Sequence, residues 1–128
     1  MDLKITQRQI GDVTILDLNG RIVLGDESAL LRRVILDVIA QGRMKILLNM
    51  ADISKIDSTG IGELTNGYRT MHAAGGTIKM LNLTRRVHNV VQIVKLERTF
   101  EPFDDELVAL ASFNSEPEQP RDLKARAG

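Results

Sequence analysis

Three consecutive residues in the middle of the chain, Asp57, Ser58 and Thr59, carry side chains suited to phosphate chemistry, and Gly60 follows them. Aspartate, serine and threonine all cap helices, because their side-chain oxygens accept hydrogen bonds from the free N–H groups of a first turn. The positive end of a helix also favours a phosphate group. If a helix begins here, the Ser58 and Thr59 hydroxyls lie where a phosphate can be attached or bound.

The flanking sequence predicts the elements that would position this segment. An apolar run over residues 46–50 precedes it, which is typical of a strand covered on both faces. Apolar side chains then recur at helical spacing, at Ile61, Leu64, Tyr68 and Met71. The segment alone leaves two interpretations open, because a capped helix after a buried strand would show the same residues without any phosphate chemistry.

Composition restricts the class of protein. The 128 residues suffice for one domain with a hydrophobic core. Lys plus Arg and Asp plus Glu number 17 each, so no net charge favours a nucleic acid or an anionic membrane. The absence of cysteine excludes disulfides, thiolate metal sites and a cysteine nucleophile. With neither a signal peptide nor a long apolar run, the sequence predicts a soluble cytoplasmic protein.

Strands and helices alternate after an opening hairpin. Residues 3–10 and 13–18 resemble two strands around the Gly11-Asp12 turn, and Asn19-Gly20 is expected to close the second strand. The elements predicted next are a helix over about 25–41, a strand over 45–50, a helix from Asp57 to about 74, a strand over 77–81 and a helix capped by Thr84. This order predicts an α/β fold, with a mixed sheet of about four to five strands and helices packed against it.

The end of the chain divides into a short helix and a tail. Pro102 is expected to break regular structure between Phe100 and Phe103. A last helix then begins with acids at its positive end, and its apolar side is predicted to be Leu107, Val108, Leu110 and Phe113. Residues 114–128 contain two of the 3 prolines and almost no apolar side chain, which predicts a disordered tail after a domain over 1–113.

Other reactive side chains do not predict a catalytic or metal site. His72 and His88 lie on different predicted helices without a third ligand at metal spacing, so no zinc site is expected. Neither histidine falls within one helical turn of Ser58, which leaves that hydroxyl without an evident base for hydrolase chemistry. No lysine follows Gly60-Ile61-Gly62 as it does in a P-loop. We therefore expect no enzyme activity, no metal and no cofactor.

Two motifs, together with the order of elements, are similar to those of one known family. They are Gly20-Arg21-Ile22 before the first helix and Ile56-Asp57-Ser58-Thr59-Gly60-Ile61-Gly62 at the second. Gly75-Gly76 before a strand and Thr84 at the next helix start also fit. The chain resembles the STAS domains, specifically the single-domain bacterial anti-sigma factor antagonists, from about Leu3 to Phe113.

The resemblance implies a switch between partners. In that family the serine after the aspartate is phosphorylated by a GHKL-type serine kinase, which doubles as the anti-sigma factor, and a phosphatase resets the system. This places the phosphate on Ser58, with Thr59 as the second choice. The unphosphorylated domain would bind the kinase and free a sigma factor. The implied partner-binding residues are Arg21, Asp57, Ser58, Thr59, Gly60, Gly62, Glu63, Asn66 and Arg69.

Several of these residues are expected on the exposed side of the second helix, together with Gly67 and Thr70. Glycine inside a helix is unfavourable, so Gly62 and Gly67 suggest close approach of a partner or of the sheet. Arg21 departs from the family pattern, which often has an acidic residue after the glycine. The departure affects which kinase would be recognised.

Other functions share this fold. STAS domains also serve as subunits of lipid-trafficking ABC complexes, as parts of stress-sensing assemblies and as cytoplasmic ends of anion transporters. The complete segment from Asp57 to Gly60 favours the antagonist, because that role needs the acceptor hydroxyl. A neighbouring gene for a serine kinase would support the antagonist, whereas a neighbouring gene for a permease would support the lipid-trafficking subunit. A small nucleotide-binding protein is the remaining alternative, which titration with ATP or GTP would reveal.

Overall fold

The computed structural model describes residues 1–93 and 102–114, which form a five-stranded mixed sheet with helices on both faces. The strands are β1 Leu3–Ile10, β2 Val13–Ile22, β3 Lys45–Ile56, β4 Thr77–Leu81 and β5 Pro102–Phe103. The helices are α1 Asp26–Ala40, α2 Ser58–Ala73, α3 Arg85–Ile93 and α4 Glu106–Asn114. The predicted α/β class, opening hairpin and mixed sheet are confirmed.

The strands lie side by side in the order of the sequence. β1 is antiparallel to β2, and each later pair is parallel. Right-handed crossovers that always step in one direction place their helices on one side of a sheet. Accordingly α1, α2 and α3 share one apolar cluster through Leu31, Leu64 and Val87, on what we term the helical face. The opposite face of the sheet is covered by α4, and we term it the C-terminal face. There Phe113 of α4 belongs to a second cluster with Leu47.

β2 and β3 extend further than the sequence predicted. Gly20 does not close β2: it pairs with Leu3 on one side and Ile53 on the other. Its φ of 121° and the nearby Asp2 carbonyl leave no room for a side chain, so glycine lets the strand continue. β3 likewise continues beside β2 to Ile56, and both strands end at the edge of the sheet where α2 begins.

The C-terminal segment corrects two predictions. Pro102 lies in β5 and pairs with Met80 at the edge of the sheet, where a proline is tolerated. Leu107 and Val108 are 76% and 57% exposed, whereas Ala109 and Phe113 are buried. The predicted apolar side of α4 was wrong for the first two because the helix is apolar on nearly every side.

The predicted domain boundary falls near the end of the described chain. α4 includes Asn114, which the sequence assigned to the tail. Phe100 and residues 115–128 lie outside the described residues, so the disordered tail stays a prediction. Within residues 1–93 and 102–114, no helix combines the length and the apolar character needed to cross a membrane.

Candidate functional site

Asp57 is the N-cap that starts α2. Its backbone is extended (φ −110°, ψ −176°), and its Oδ1 accepts a hydrogen bond from the Gly60 N–H at 2.9 Å. The Asp57 carbonyl accepts the Ile61 N–H, also at 2.9 Å. The predicted helix start is therefore confirmed. Of the three cap-type side chains, Asp57 makes the cap, and Ser58 and Thr59 are the first residues of the helix.

Asp57 also ties the end of β2 to the start of α2. Its Oδ2 accepts the Leu24 N–H at 2.9 Å, and its own N–H donates to the Ile22 carbonyl at 3.2 Å. The hydrogen bonds from Gly60 and Leu24 favour the ionised carboxylate, so the pKa of Asp57 lies below its usual value. Sequence reasoning missed the contact with Leu24, because 33 residues separate the two and neither type of residue signals it.

Gly60 allows α2 to press against the ends of the strands. A Cβ at this position would collide with the Ile22 carbonyl oxygen and lie 2.8 Å from Ile22 Cγ2 and 2.9 Å from Ile56 Cγ1. Gly60 is accordingly buried. It was expected within the partner-binding surface, but its place in the structure is beneath that surface, where it seats the first turn.

Ser58 lies at the exposed beginning of this turn, and Thr59 beside it is half-buried. Further along α2, Gly62, Asn66 and Arg69 are exposed as well. At about 100° per residue, Ser58 and these three residues fall within about 80° of the helix circumference. We call this set the outer stripe. The structure thus brings four of the predicted site residues onto one solvent-facing side of α2.

Glu63 and Gly67 do not share that exposure. The Glu63 residue is only 8% exposed, and its Oε2 lies 3.6 Å from Arg32 Nη1 on α1. A Cβ on Gly67 would lie 3.1 Å from Ile35 Cδ1, so this glycine admits α1 rather than a partner or the sheet. The prediction that these two residues face solvent was wrong, because α1 covers this flank of α2. Thr70 is exposed.

Arg21 lies near the outer stripe but is engaged elsewhere. In the sheet it stands opposite Lys55, two residues before Asp57. Its backbone N–H donates to the Asp2 carbonyl at 2.8 Å, and its Nε lies 2.6 Å from Asp2 Oδ2. The Arg21 side chain is exposed. It therefore adds a positive charge at the edge of the sheet where α2 begins.

The chemistry of the site is that of an exposed hydroxyl at a helix N-terminus. Among residues 1–93 and 102–114, no three His, Cys, Asp or Glu side chains gather as metal ligands. His72 stacks on Tyr68, with ring centroids 5.6 Å apart, in the last turns of α2. This places it at the end of the helix opposite to Ser58. The site can accept a group on Ser58, and His72 lies too far along α2 to act as a base for that hydroxyl.

Comparisons with known proteins agree with this geometry. The STAS domain model matches residues 4–109. A relative from Thermotoga neapolitana, named "Putative anti-sigma factor antagonist TM1081 homolog", is 27% identical over 95 residues, which are 74% of this chain and 84% of the relative. A crystal structure of a Thermotoga maritima protein described in the same terms has a TM-score of 0.79 at 23% identity, and the match covers 84% of this chain and 92% of that one.

A second structural neighbour was solved in a modified state. It is the Bacillus cell fate determinant SpoIIAA in its phosphorylated form, with a TM-score of 0.69 at 21% identity. The match covers 86% of this chain and 99% of the neighbour. At these identities the two structures show only that the fold is shared. The STAS domain model matches most of the sequence and shows the family. The chain therefore belongs to the STAS domain family.

Proposed function

We propose that this domain is an anti-sigma factor antagonist. In its unphosphorylated form it binds an anti-sigma factor that is also a GHKL-type serine kinase, and it thereby frees a sigma factor. The observation that carries the proposal is the exposed Ser58 at the first position of α2, fixed by the Asp57 cap and seated on Gly60. The name of the Thermotoga relative and the phosphorylated form of SpoIIAA support it.

Phosphorylation of Ser58 changes the charge of the site without threatening the fold. The kinase transfers the γ-phosphoryl group of ATP to the Ser58 oxygen, which adds a charge of about −1.5 to −2 at neutral pH. The helix N-terminus favours that charge by about 0.3–1 kcal/mol, while the ionised Asp57 next to it opposes it. These two effects act in opposite directions, so we expect the phosphorylated domain to remain folded.

The partner is affected far more. Three residues of the outer stripe, Ser58, Gly62 and Asn66, carry no charge, and Arg69 lies about three turns away. A partner surface that fits this neutral region must desolvate the phosphate or face it with a mismatched charge, at a cost of several kcal/mol. Each 1.4 kcal/mol changes affinity tenfold. Phosphorylation can therefore release the kinase without a conformational change, and a phosphatase restores binding.

Phosphate mapping tests the acceptor. The domain is incubated with Mg-ATP and the serine kinase that it captures in a pull-down, and the product is mapped by mass spectrometry. We expect one phosphate on Ser58, with Thr59 the second choice. Ser58→Ala should abolish incorporation, whereas Ser54→Ala, a matched change at an exposed serine in β3, should not. A phosphate at any other position would refute the assignment.

Binding measurements test the switch. Ser58→Ala should keep the kinase bound in the presence of Mg-ATP, and Ser58→Glu should weaken binding at least about tenfold through the added charge. Asn66→Ala on the outer stripe should weaken binding without changing the stability of the domain. If Ser58→Ala and Ser58→Glu bound the kinase equally, the electrostatic mechanism would be excluded.

A further inference from the structure

A small slot opens between α1 and α2, on the flank of α2 next to the outer stripe, with which it shares Asn66. It encloses about 100 Å³. Its lining residues are Arg32, Ile35, Leu36, Glu63, Asn66, Gly67 and Thr70. Glu63 follows Ser58 by five positions, which places it about 140° around the helix. The slot is therefore separate from the proposed phosphorylation site, and ligand binding in the slot does not depend on the proposed function.

The Glu63 carboxylate lines this slot without a full set of partners. Its side chain is 10% exposed, and Oε1 is buried and receives no hydrogen bond from any residue that the structure describes. The other oxygen, Oε2, lies 3.6 Å from Arg32 Nη1, beyond hydrogen-bond distance. A buried carboxylate normally has charged or hydrogen-bonding partners, because removing it from water is otherwise costly. A residue that lines the slot therefore carries a carboxylate with an unfilled acceptor, which a positively charged donor would satisfy.

The rest of the slot is shaped for a short apolar chain. Leu36, which is 42% exposed, and the buried Ile35 line the slot from α1, and Ile35 packs against Gly67 on α2. Its volume equals about three water molecules, far below the 300–1,000 Å³ or so of sites for drug-sized ligands. A nucleotide or a sugar is too large. An ammonium group on a chain of a few methylenes matches both the acid and the walls.

Arg32 is the cationic residue that lines the slot. Its side chain is 57% exposed, and among residues 1–93 and 102–114 it makes only the long contact with Glu63 Oε2. The contact is long and Arg32 is mostly exposed to water, so the ion pair contributes little and an incoming cation can displace the guanidinium. We propose that the slot between α1 and α2 binds a primary alkylammonium group, with its nitrogen on Glu63 and its chain against Ile35 and Leu36, in exchange for Arg32. The source is either a free alkylamine or a lysine side chain.

The probe for this proposal is n-butylammonium chloride, titrated into the ¹⁵N-labelled protein at constant ionic strength. We expect saturable amide shifts confined to the slot and a dissociation constant of about 1–10 mM for so small a ligand. The neutral isostere n-butanol should bind at least about tenfold more weakly, because it lacks the charge. Equal shifts with both compounds, or no saturable shift with the ammonium, would overturn the proposal.

Two variants sharpen the test in opposite directions. Glu63→Gln keeps the shape and should weaken ammonium binding at least about tenfold, whereas Asp37→Asn, an exposed acid of α1, should leave it unchanged. Arg32→Ala removes the competing cation and should tighten binding about two- to fivefold. Unchanged binding in Glu63→Gln contradicts the role of the carboxylate. Equal or weaker binding in Arg32→Ala contradicts the exchange.

A final comparison distinguishes the two sources. N-acetyl-lysine amide carries the same butylammonium group on a peptide backbone. If it binds as tightly as n-butylammonium, the slot accepts a lysine side chain from another protein. If only n-butylammonium binds, the ligand is a free amine. Binding of neither compound would overturn the proposal.

Discussion

On the helical face of the sheet, α1, α2 and α3 are held by the larger apolar cluster, whereas on the C-terminal face α4 combines a smaller apolar cluster with charged side chains. The helical face depends on shape. Its best example is Gly60, where the backbone of α2 lies so close to Ile22 that no side chain fits. Close packing of this kind permits one arrangement only, which suits a face that must present Ser58 in a fixed position.

The C-terminal face depends on polar contacts made by long, charged side chains. Arg8 Nε lies 2.5 Å from Asp17 Oδ2, and Arg8 Nη2 lies 2.7 Å from Glu106 Oε1 on α4. Lys79 is 1% exposed; its Nζ donates to Ser112 Oγ at 3.0 Å. The two faces should therefore respond differently to mutation. Changes of volume should be most damaging on the helical face, and changes of charge should have modest effects on the other.

The largest effect is expected for Gly60→Ala. The added methyl group overpacks the contact with Ile22 and Ile56, at a cost of about 3 kcal/mol in the free energy of unfolding. Gly62→Ala is the matched control on the same helix, since no atom lies within 4 Å of a Cβ there. It should stabilise α2 by about 0.5–1 kcal/mol. Urea denaturation of both variants measures the difference. A similar stability for the two would contradict the shape argument.

On the C-terminal face, Lys79→Ala should cost about 2–3 kcal/mol, because a long buried side chain is lost. Lys79→Met keeps most of that volume and should cost less than about 1.5 kcal/mol. The Nζ of Lys79 lies 4.9 Å from the centre of the Phe113 ring, so the ammonium group contacts α4. Urea denaturation of the two variants separates the contribution of the stem from that of the charge. Equal losses would show that the ammonium group, rather than its stem, holds α4.

A smaller effect is expected for Asp57→Ala, which removes the N-cap of α2 at a cost of about 1–2 kcal/mol. The folded-state pKa of Asp57 is lowered, chiefly by the Gly60 N–H and then by the Leu24 N–H. The stabilisation is therefore complete above the ordinary aspartate pKa of about 3.9 and is lost as the pH falls through the lower folded-state value.

The control for the cap is Asp52→Ala, at an exposed position of β3. It should change stability by less than about 0.5 kcal/mol. The difference between the wild type and Asp57→Ala should be constant near neutral pH and shrink only below about pH 4. A difference that grew with acidity would have the wrong sign for a carboxylate stabilised in its ionised form.

The sequence predicted the elements well where a local signal existed. Asp57 marked the start of α2 because an N-cap needs only its own first turn. The length of β3 was missed because its second half depends on β2, which continues past Gly20 only through its special backbone. α4 was misjudged for Leu107 because a helix that is apolar on nearly every side has no periodicity to identify its buried face.

In the site, too, features with a local sequence signal were predicted, and features set by distant elements were missed. The outer stripe followed from helical spacing alone, and the structure brings its members together. Glu63 was misplaced because its burial is imposed by α1, an element distant in sequence. A signal existed in Gly67, one turn later on the same flank, whose lack of a side chain admits Ile35. Reading the glycine and the acid as one pair would have predicted a helix packed there.

The smallest effect is expected for Glu106→Gln, which removes one carboxylate from the pair around Arg8. The ion pair is partly exposed, with 38% and 34% of the two side chains accessible, so its loss should cost only about 0.5 kcal/mol. Arg8 keeps Asp17, whose pKa is lowered mainly by the hydrogen bond from that guanidinium. The measurement is the urea midpoint at low and high salt, with the exposed Asp104→Asn as control. Screening should remove most of the difference between Glu106→Gln and the wild type in high salt. A salt-independent loss would mean that Glu106 holds α4 by shape, and the contrast between the two faces would then fail where the charges are densest.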